Sequence, residues 1–307
     1  FCEGVVLSAE GLVCWAHRYA ALAECLAESE PDAKRRMELE RIAATCRRVP
    51  AKPARDFAEA LQSFWFTHLA MHIEQYGWSI SAGRFDQYIF PFYERDLADG
   101  ALTEDKAWEL LLNLWIKFME NVGTRVKETV FQNLTLGGQD SEGRDRSNAL
   151  SRLCLDATVA LRINQPALSV RWHPNIDADF WDRVLQAVAQ GLGLPALFND
   201  SVIIPALEAH GVAPEDAVGY GLVGCVEASV PGKQQGVTAG GHINLAKALE
   251  LALNDGRSLV TGEQIGLPTG DPETFTSFED LWTAYVTQVE YLAGLNVLAT
   301  HIAGEHQ

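Results

Sequence analysis

The sequence predicts an α/β protein, and three observations support this fold class. Apolar residues recur at helical spacing through the first half, whereas short extended runs alternate with helical segments in the second half. The 307 residues are 48% hydrophobic and 21% charged, which is ordinary globular composition and excludes a disordered or fibrous protein. The sequence has no repeat period or low-complexity tract, which excludes solenoids and propellers.

The first half is predicted to be helical. Helical spacing runs from about 5 to 48, and the acidic stretch 28–32 divides these residues into two helices. After a linker at Pro50, one face of a third helix is predicted to be buried, formed by Phe57, Ala60, Leu61, Phe64, Trp65 and Leu69. Thr103 is the predicted N-cap of a further helix, because its hydroxyl can accept from first-turn N–H groups.

The second half is predicted to contain three strands, at 131–136, 167–172 and 191–198. Helices are expected between and after them, at about 145–160, 178–190, 202–211 and 243–256. A strong amphipathic helix then precedes the last residues of the chain. This alternation favours a sheet, open or closed into a barrel, with helices outside it.

The charge balance limits the partners of the protein. Asp and Glu number 41 and Lys and Arg 24, which gives a net charge of −17 and a pI near 4.8. Such a chain repels phosphate backbones and anionic lipids, so we expect no nucleic-acid and no membrane partner. No apolar run reaches the roughly 18 residues that a membrane span requires.

The six cysteines lie far apart, without a C-x-x-C pair, and the eight histidines are also scattered. The sequence therefore predicts reduced thiols in the cytoplasm, and neither a disulfide framework nor a zinc site. Five cysteines are predicted to be small buried apolar residues in helices: Cys2, Cys14, Cys25, Cys46 and Cys154.

Cys225 is the exception, because it lies in the glycine-studded segment 219–233. Glycines let a backbone approach a ligand closely and form tight turns. Glu227 follows two residues later and, in an extended strand, would face the same side as Cys225. The segment therefore predicts a reactive thiol with a proton-transfer partner, against the alternative of a core cysteine beside a surface glutamate.

The carboxylate of Glu227 favours one kind of thiol chemistry over another. A hydrolase would use a thiolate and a histidine base, for which His242 is the candidate, but its spacing from Cys225 is a weak signal. A nearby negative charge raises the pKa of a thiol and so disfavours the thiolate. The pair suits a neutral thiol that loses a hydrogen atom, while the carboxylate takes a proton from substrate.

The run Gly224-Cys225-Val226-Glu227 resembles the cysteine loop of the glycyl radical enzymes, the superfamily of pyruvate formate-lyase and the anaerobic diol dehydratases. The resemblance spans essentially the whole chain and is closest to the branch of glycerol dehydratase, choline trimethylamine-lyase and hydroxyproline dehydratase. Matching stretches follow in order at 59–66, 83–88, 131–139, 165–171, 194–200 and 244–250.

The resemblance implies part of a ten-stranded barrel of two antiparallel five-stranded half-sheets, surrounded by helices. Residues 1–125 would supply mostly the helical shell, and 126–307 barrel strands and helices, with the cysteine loop at 219–233 inside the barrel. It further implies that Cys225 becomes a thiyl radical that abstracts hydrogen from a small organic substrate. Glu227 would be the general base, and a C–O, C–N, C–S or C–C bond would then break.

Three residues are substrate-binding candidates by this resemblance, Trp78, Ser79 and Thr238, and His242 is a fourth because it is close enough in sequence to line the same pocket. The diol dehydratases have a histidine where this chain has Trp78, and a Trp-His-Asp run at 237–239. The loss of these polar groups argues against glycerol or propanediol, because a buried diol needs hydrogen-bond partners. Trp78 and His242 keep the alternative reading of plain core residues.

The resemblance also implies partners that the chain itself does not contain. The family's glycyl radical lies in an Arg-Val-x-Gly context, and neither 48–51 nor 125–128 supplies that glycine. We therefore expect a central fragment, inactive alone, with no cofactor and no metal bound by this chain. The glycyl radical would lie outside it and be installed by a radical S-adenosylmethionine activating enzyme, and the full-length protein would be a homodimer.

Two other hypotheses stay open from the sequence. The chain could be a non-catalytic partner of a separate radical-bearing chain, or a Cys-dependent hydrolase on an unrelated α/β fold. The hydrolase hypothesis predicts rapid alkylation of Cys225 near neutral pH, because it requires a thiolate.

Overall fold

The computed structural model describes residues 1–74, 79–123, 131–234 and 242–305. The chain forms two compact units, Phe1–Gly236 and Val237–Gln307.

The first unit begins with a helical hairpin of α1 (Cys2–Ser29) and α2 (Ala33–Arg48). Asp32 starts α2, because its side chain accepts a hydrogen bond from Lys34 N at 3.0 Å. A stripe of buried alanines on α1 lets the helices approach closely: Ala16, Ala20, Ala23 and Ala27. The division into two helices confirms the prediction from the acidic stretch.

Four more helices precede the sheet: α3 (Phe57–Glu74), α4 (Phe85–Tyr88), α5 (Phe90–Ala98) and α6 (Glu104–Gly123). Thr103 caps α6 as predicted, because its Oγ1 accepts from Lys106 N at 3.2 Å. Trp115 and Phe118 of α6 are fully buried in the main core, together with Phe57 of α3.

A parallel sheet lies at the centre of the first unit, with strands β1 (Asn133–Gly137), β2 (Ala167–Trp172) and β3 (Ala196–Asn199) in that order. Helices α7 (Ala149–Leu161) and α8 (Ala178–Ala189) make the two crossovers that parallel pairing requires. Buried side chains of β1 and β2 join the core of the helices: Leu134, Leu136, Leu168 and Val170. Strand β2 has the predicted bounds.

The third strand is shorter than the predicted 191–198. Gly191 and Gly193 have φ values of +71° and +73°, which place the start of that run in a turn. The apolar pattern predicts a continuous strand because sequence alone does not show where the left-handed residues lie.

After β3 the chain forms α9 (Asp200–Ala209) and α10 (Pro214–Ala217), and then two short strands, β4 (Gly221–Val223) and β5 (Glu227–Ser229). These strands pair antiparallel, and we call them with their connecting residues the cysteine hairpin. Leu222 N donates to Thr135 Oγ1 at 2.9 Å, which attaches the hairpin to β1.

The second unit contains α11 (Leu245–Ala252), a 3₁₀ turn at Pro272–Thr274 and α12 (Phe278–Glu305). Buried Gln288 of α12 fixes the loop between α11 and α12, since its side chain accepts from Leu267 N and donates to Leu267 O. None of the helices in the described ranges is long and apolar enough to cross a membrane.

The cysteines correct one prediction. Cys46 and Cys154 are buried as expected, but Cys2, Cys14 and Cys25 are exposed. The prediction failed for these three because α1 buries its alanine stripe and leaves them outside it. Amphipathic position, and not residue type, decides their burial.

Candidate active site

The cysteine hairpin presents its thiol at the tip. Residues 224–226, the cysteine turn, connect the paired residues Val223 and Glu227. Gly224 has φ +63°, a left-handed conformation that a side chain disfavours, and Cys225 is exposed. A three-residue turn closed by two short strands therefore holds Cys225 away from the core.

Two predicted site residues lie beside Gly224. A Cβ built on this glycine would lie 2.8 Å from Glu227 Oε2 and 3.2 Å from Ser79 Oγ. Gly224 thus leaves the space that the carboxylate and the hydroxyl occupy. Ser79 itself has φ +53°, an uncommon conformation for a residue with a side chain.

The orientation of Glu227 differs from the extended geometry that the sequence suggested. Cys225 lies in the turn, so the alternation of side chains along a strand does not apply to it. Glu227 is the first residue of β5, and its Oε2 instead accepts from Val226 N at 2.9 Å. The carboxylate therefore folds back over the cysteine turn, on the Gly224 side.

The surroundings of Cys225 keep its thiol protonated. Partial desolvation and the negative charge of Glu227 both raise the pKa of Cys225 above its ordinary value of 9.0. At neutral pH the neutral S–H form therefore dominates. This is the species that can lose a hydrogen atom, and it is a poor nucleophile.

Two polar side chains bind the backbone of Gly224. Ser81 Oγ accepts from Gly224 N at 3.1 Å, and Asn133 Nδ2 donates to Gly224 O at 3.2 Å. The two residues are also connected, because Asn133 N donates to Ser81 Oγ at 3.2 Å. We call this pair, Ser81 and Asn133, the glycine clamp.

A buried ion pair lies at the base of the hairpin. Arg171 of β2 donates to both carboxylate oxygens of Asp200, each at 2.8 Å. Its Nη1 also donates to Tyr220 O at 2.9 Å and Val218 O at 3.1 Å, and Tyr220 Oη donates to Asp200 at 2.7 Å. Arg171, Asp200 and Tyr220, which we call the hairpin base, are fully buried, and Tyr220 directly precedes β4.

The glycine clamp and the hairpin base are not among the residues that the sequence predicts for the site. A signal for the base was present, because Arg171 places a charge in the predicted strand 167–172, and an arginine that is buried there requires a partner. In the structure Gly138 leaves room for this arginine, since a Cβ there would lie 2.5 Å from Arg171 Cζ. Nothing in the local pattern around Ser81 or Asn133 pointed to Gly224.

The other predicted pocket residues are less informative. Trp78 and Thr238 lie outside the described residues. His242 belongs to the second unit, where it is exposed and its carbonyl accepts from Asn296 Nδ2 at 3.4 Å. Substrate binding by these three residues stays a prediction. In the described ranges, no group of three or more His, Cys, Asp or Glu side chains could hold a metal ion.

Comparison with known proteins identifies the class. The family model of pyruvate formate lyase-like proteins matches residues 1–307. The chain belongs to this family.

Individual relatives agree. The chain is 38% identical over 299 residues to the isethionate sulfite-lyase of Nitratidesulfovibrio vulgaris, covering 94% of this chain and 36% of that enzyme. A solved structure concerning 1,2-propanediol dehydration in Roseburia inulinivorans superposes with a TM-score of 0.91 at 40% identity, over 97% of this chain and 38% of the other. A glycyl radical enzyme from Archaeoglobus fulgidus gives 0.87 at 37% identity, over 95% and 38%.

These likenesses confirm the predicted fold class, part of a pyruvate formate-lyase-like barrel surrounded by helices. They also confirm the predicted superfamily. The chain spans little more than a third of the length of the relatives it matches.

Proposed function

We propose that this chain carries the thiol half of a glycyl radical lyase, with Cys225 as the hydrogen-abstracting residue and Glu227 as the general base. The observation that carries the proposal is the cysteine turn: an exposed, protonated thiol with a carboxylate folded over the same turn. A hydrolase would require the thiolate, which the raised pKa of Cys225 disfavours.

The chemistry of Cys225 fits a radical partner. A glycyl radical would supply the unpaired electron. It would lie outside the part of the family's length that this chain spans. Cys225 would give up its S–H hydrogen atom to it and become a thiyl. The thiyl would then break a substrate C–H bond and take that hydrogen atom, which regenerates the S–H bond and leaves a carbon-centred substrate radical.

Glu227 would accept a proton from the substrate radical, and the neighbouring C–X bond would break with departure of the leaving group. Its Oε2 is engaged by Val226 N–H, which holds the carboxylate in place beside Gly224. A fixed base beside the cysteine turn avoids the cost of orienting it at each turnover.

The substrate class that we propose is a small polar organic molecule from which a heteroatom or carbon group is eliminated. One relative is a sulfite-lyase and another solved structure concerns diol dehydration, so the bond is left open. Trp78, Ser79, Thr238 and His242 stay the candidate substrate-binding residues, and the departures at 78 and 237–239 disfavour glycerol and propanediol.

The setting of the reaction is part of the same proposal. A radical S-adenosylmethionine enzyme would install the glycyl radical, the full-length protein would be a homodimer, and the reaction would take place in the cytoplasm.

Replacement of the thiol tests this function. In full-length protein activated without oxygen, Cys225→Ala should still accept the glycyl radical, measured by electron paramagnetic resonance, because the variant leaves the radical-bearing residue intact. Turnover in an anaerobic screen of candidate substrates should vanish. Turnover equal to that of the wild type would contradict the role of Cys225.

A further inference from the structure

We infer that the glycine clamp, Ser81 and Asn133, positions the Cys225 thiol for hydrogen-atom transfer. This inference rests on the proposed function and deepens it, because it names two residues that act on the reactive thiol through its neighbour Gly224. Neither side chain is assigned contact with substrate. They are positioning residues.

The clamp holds both polar groups of the residue that precedes Cys225. Gly224 N donates to Ser81 Oγ, and Gly224 O accepts from Asn133 Nδ2. The clamp residues come from two different segments, the chain before α4 and strand β1. Because both peptide groups of Gly224 are fixed, the direction in which the backbone enters Cys225 is fixed as well.

The amide orientation of Asn133 follows from its partners. A backbone carbonyl can only accept, so the atom that faces Gly224 O must be the amide nitrogen. The same nitrogen donates to Ser169 Oγ at 2.9 Å. This assignment leaves Asn133 Oδ1 buried and, among the described residues, without a hydrogen-bond partner.

A buried acceptor without a partner is unfavourable for folding, so stability alone does not account for Asn133. An apolar residue of similar size would avoid that cost but would lose the bond to Gly224 O. Polar groups that are unfavourable for folding are expected at functional sites. The feature that is retained in spite of this cost is the hydrogen bond from Asn133 to the cysteine turn.

Main-chain hydrogen bonds also join the two segments that carry the clamp residues. Ala82 N donates to Asn133 O at 2.7 Å, and Thr135 N donates to Gly83 O at 2.8 Å, so the segment of Ser81 pairs with β1. Ser81 Oγ also donates to Ser79 O at 3.3 Å. These bonds hold the clamp residues to each other independently of their contacts with Gly224.

Hydrogen exchange at the glycyl radical offers a readout that does not need the substrate. In D₂O the Cys225 thiol carries deuterium, since S–H hydrogens exchange with water. The radical carbon takes deuterium as the S–D bond breaks, and the thiyl then takes back either isotope from that carbon. Repeated transfer replaces the α-hydrogen, and the doublet that this hydrogen causes in the electron paramagnetic resonance spectrum collapses.

The experiment measures the collapse rate per radical spin in activated full-length protein. Asn133→Ala and Ser81→Ala should each slow the collapse by about 10- to 100-fold, because displacing a reacting group by ~1 Å lowers a reaction rate by up to this amount. The matched control is Thr158→Val, which removes a buried hydrogen bond from Trp115 Nε1 (2.8 Å) elsewhere in the same core. In Thr158→Val the doublet should collapse at the wild-type rate.

The outcomes separate this inference from the function on which it rests. Wild-type collapse in Cys225→Ala would overturn the thiyl role itself. Loss of collapse there, with wild-type rates in both clamp variants, would overturn only the positioning role. If neither clamp variant holds a radical while Thr158→Val does, the clamp is structural and the inference is also overturned.

Discussion

The two ends of the cysteine hairpin are built in opposite ways. Its base is a fully buried ion pair, Arg171 with Asp200, and its tip is an exposed turn that carries Cys225. The base uses strong charge-assisted hydrogen bonds, whereas the tip is held by neutral ones to Gly224. An exposed thiol can therefore still have a fixed backbone, because buried contacts hold the strands beneath it.

The largest expected effect comes from breaking the base. Arg171→Met should lower the free energy of unfolding by about 3–5 kcal/mol, because Asp200 would be left as an unpaired buried charge. The Tyr220 carbonyl would lose its donor as well, and the Val218 carbonyl would keep only the longer bond from Arg84 Nη1 at 3.4 Å. Thermal or denaturant unfolding of the full-length protein measures this loss.

The matched control is Arg144→Met, which breaks an ion pair with Asp140 at 2.8 Å, where the Arg144 side chain is 67% exposed. It should change stability by no more than about 1 kcal/mol. Equal effects of the two variants would show that the hairpin base does not differ energetically from a surface ion pair.

A smaller effect on stability, with a large effect on turnover, is expected at the tip. Gly224→Ala should cost about 1–2 kcal/mol, because φ +63° disfavours a side chain. Its Cβ would also displace the carboxylate of Glu227 and crowd Ser79 Oγ. Turnover should therefore fall by about 100-fold.

Gly232→Ala separates the two causes, since Gly232 has φ +76° but open space where the Cβ would lie. It should lose similar stability and keep its turnover, as followed by thermal unfolding and activity assays. A comparable loss of turnover in both variants would argue against a special role of the space at Gly224.

The smallest expected change is electrostatic. Glu227→Gln should lower the pKa of Cys225, because the carboxylate charge that helps to raise it is removed. The thiolate fraction at pH 8 then increases, and iodoacetamide should alkylate Cys225 faster, as read by mass spectrometry of its peptide. Glu10→Gln, at an exposed position of α1, is the control. An unchanged pH profile of alkylation would contradict the electrostatic coupling.

The sequence predicted most of the local structure. The division of α1 from α2 follows from Asp32, and the bounds of β2 follow from an apolar run between turn residues. Glycine density around Cys225 correctly indicated a tight turn, and the direction of the effect of Glu227 on the thiol pKa followed from its charge.

What the sequence did not reveal depends on contacts between distant segments. The extended geometry assumed for Cys225 was wrong because the left-handed Gly224 turns the chain there. The glycine clamp was missed because Ser81 and Asn133 become important only when the chain brings them to Gly224. The exposed cysteines of α1 were missed because composition does not tell which face of a helix is covered.

The glycine clamp also has a consequence for the order of folding. Its two bonds to Gly224 join residues that are 143 and 91 positions apart, whereas α1 and α2 are neighbours along the chain. Closing long loops costs chain entropy before any contact repays it, so local helices are expected to form first and the clamp late. The thiol would then reach its final geometry only when the sheet beneath it is complete.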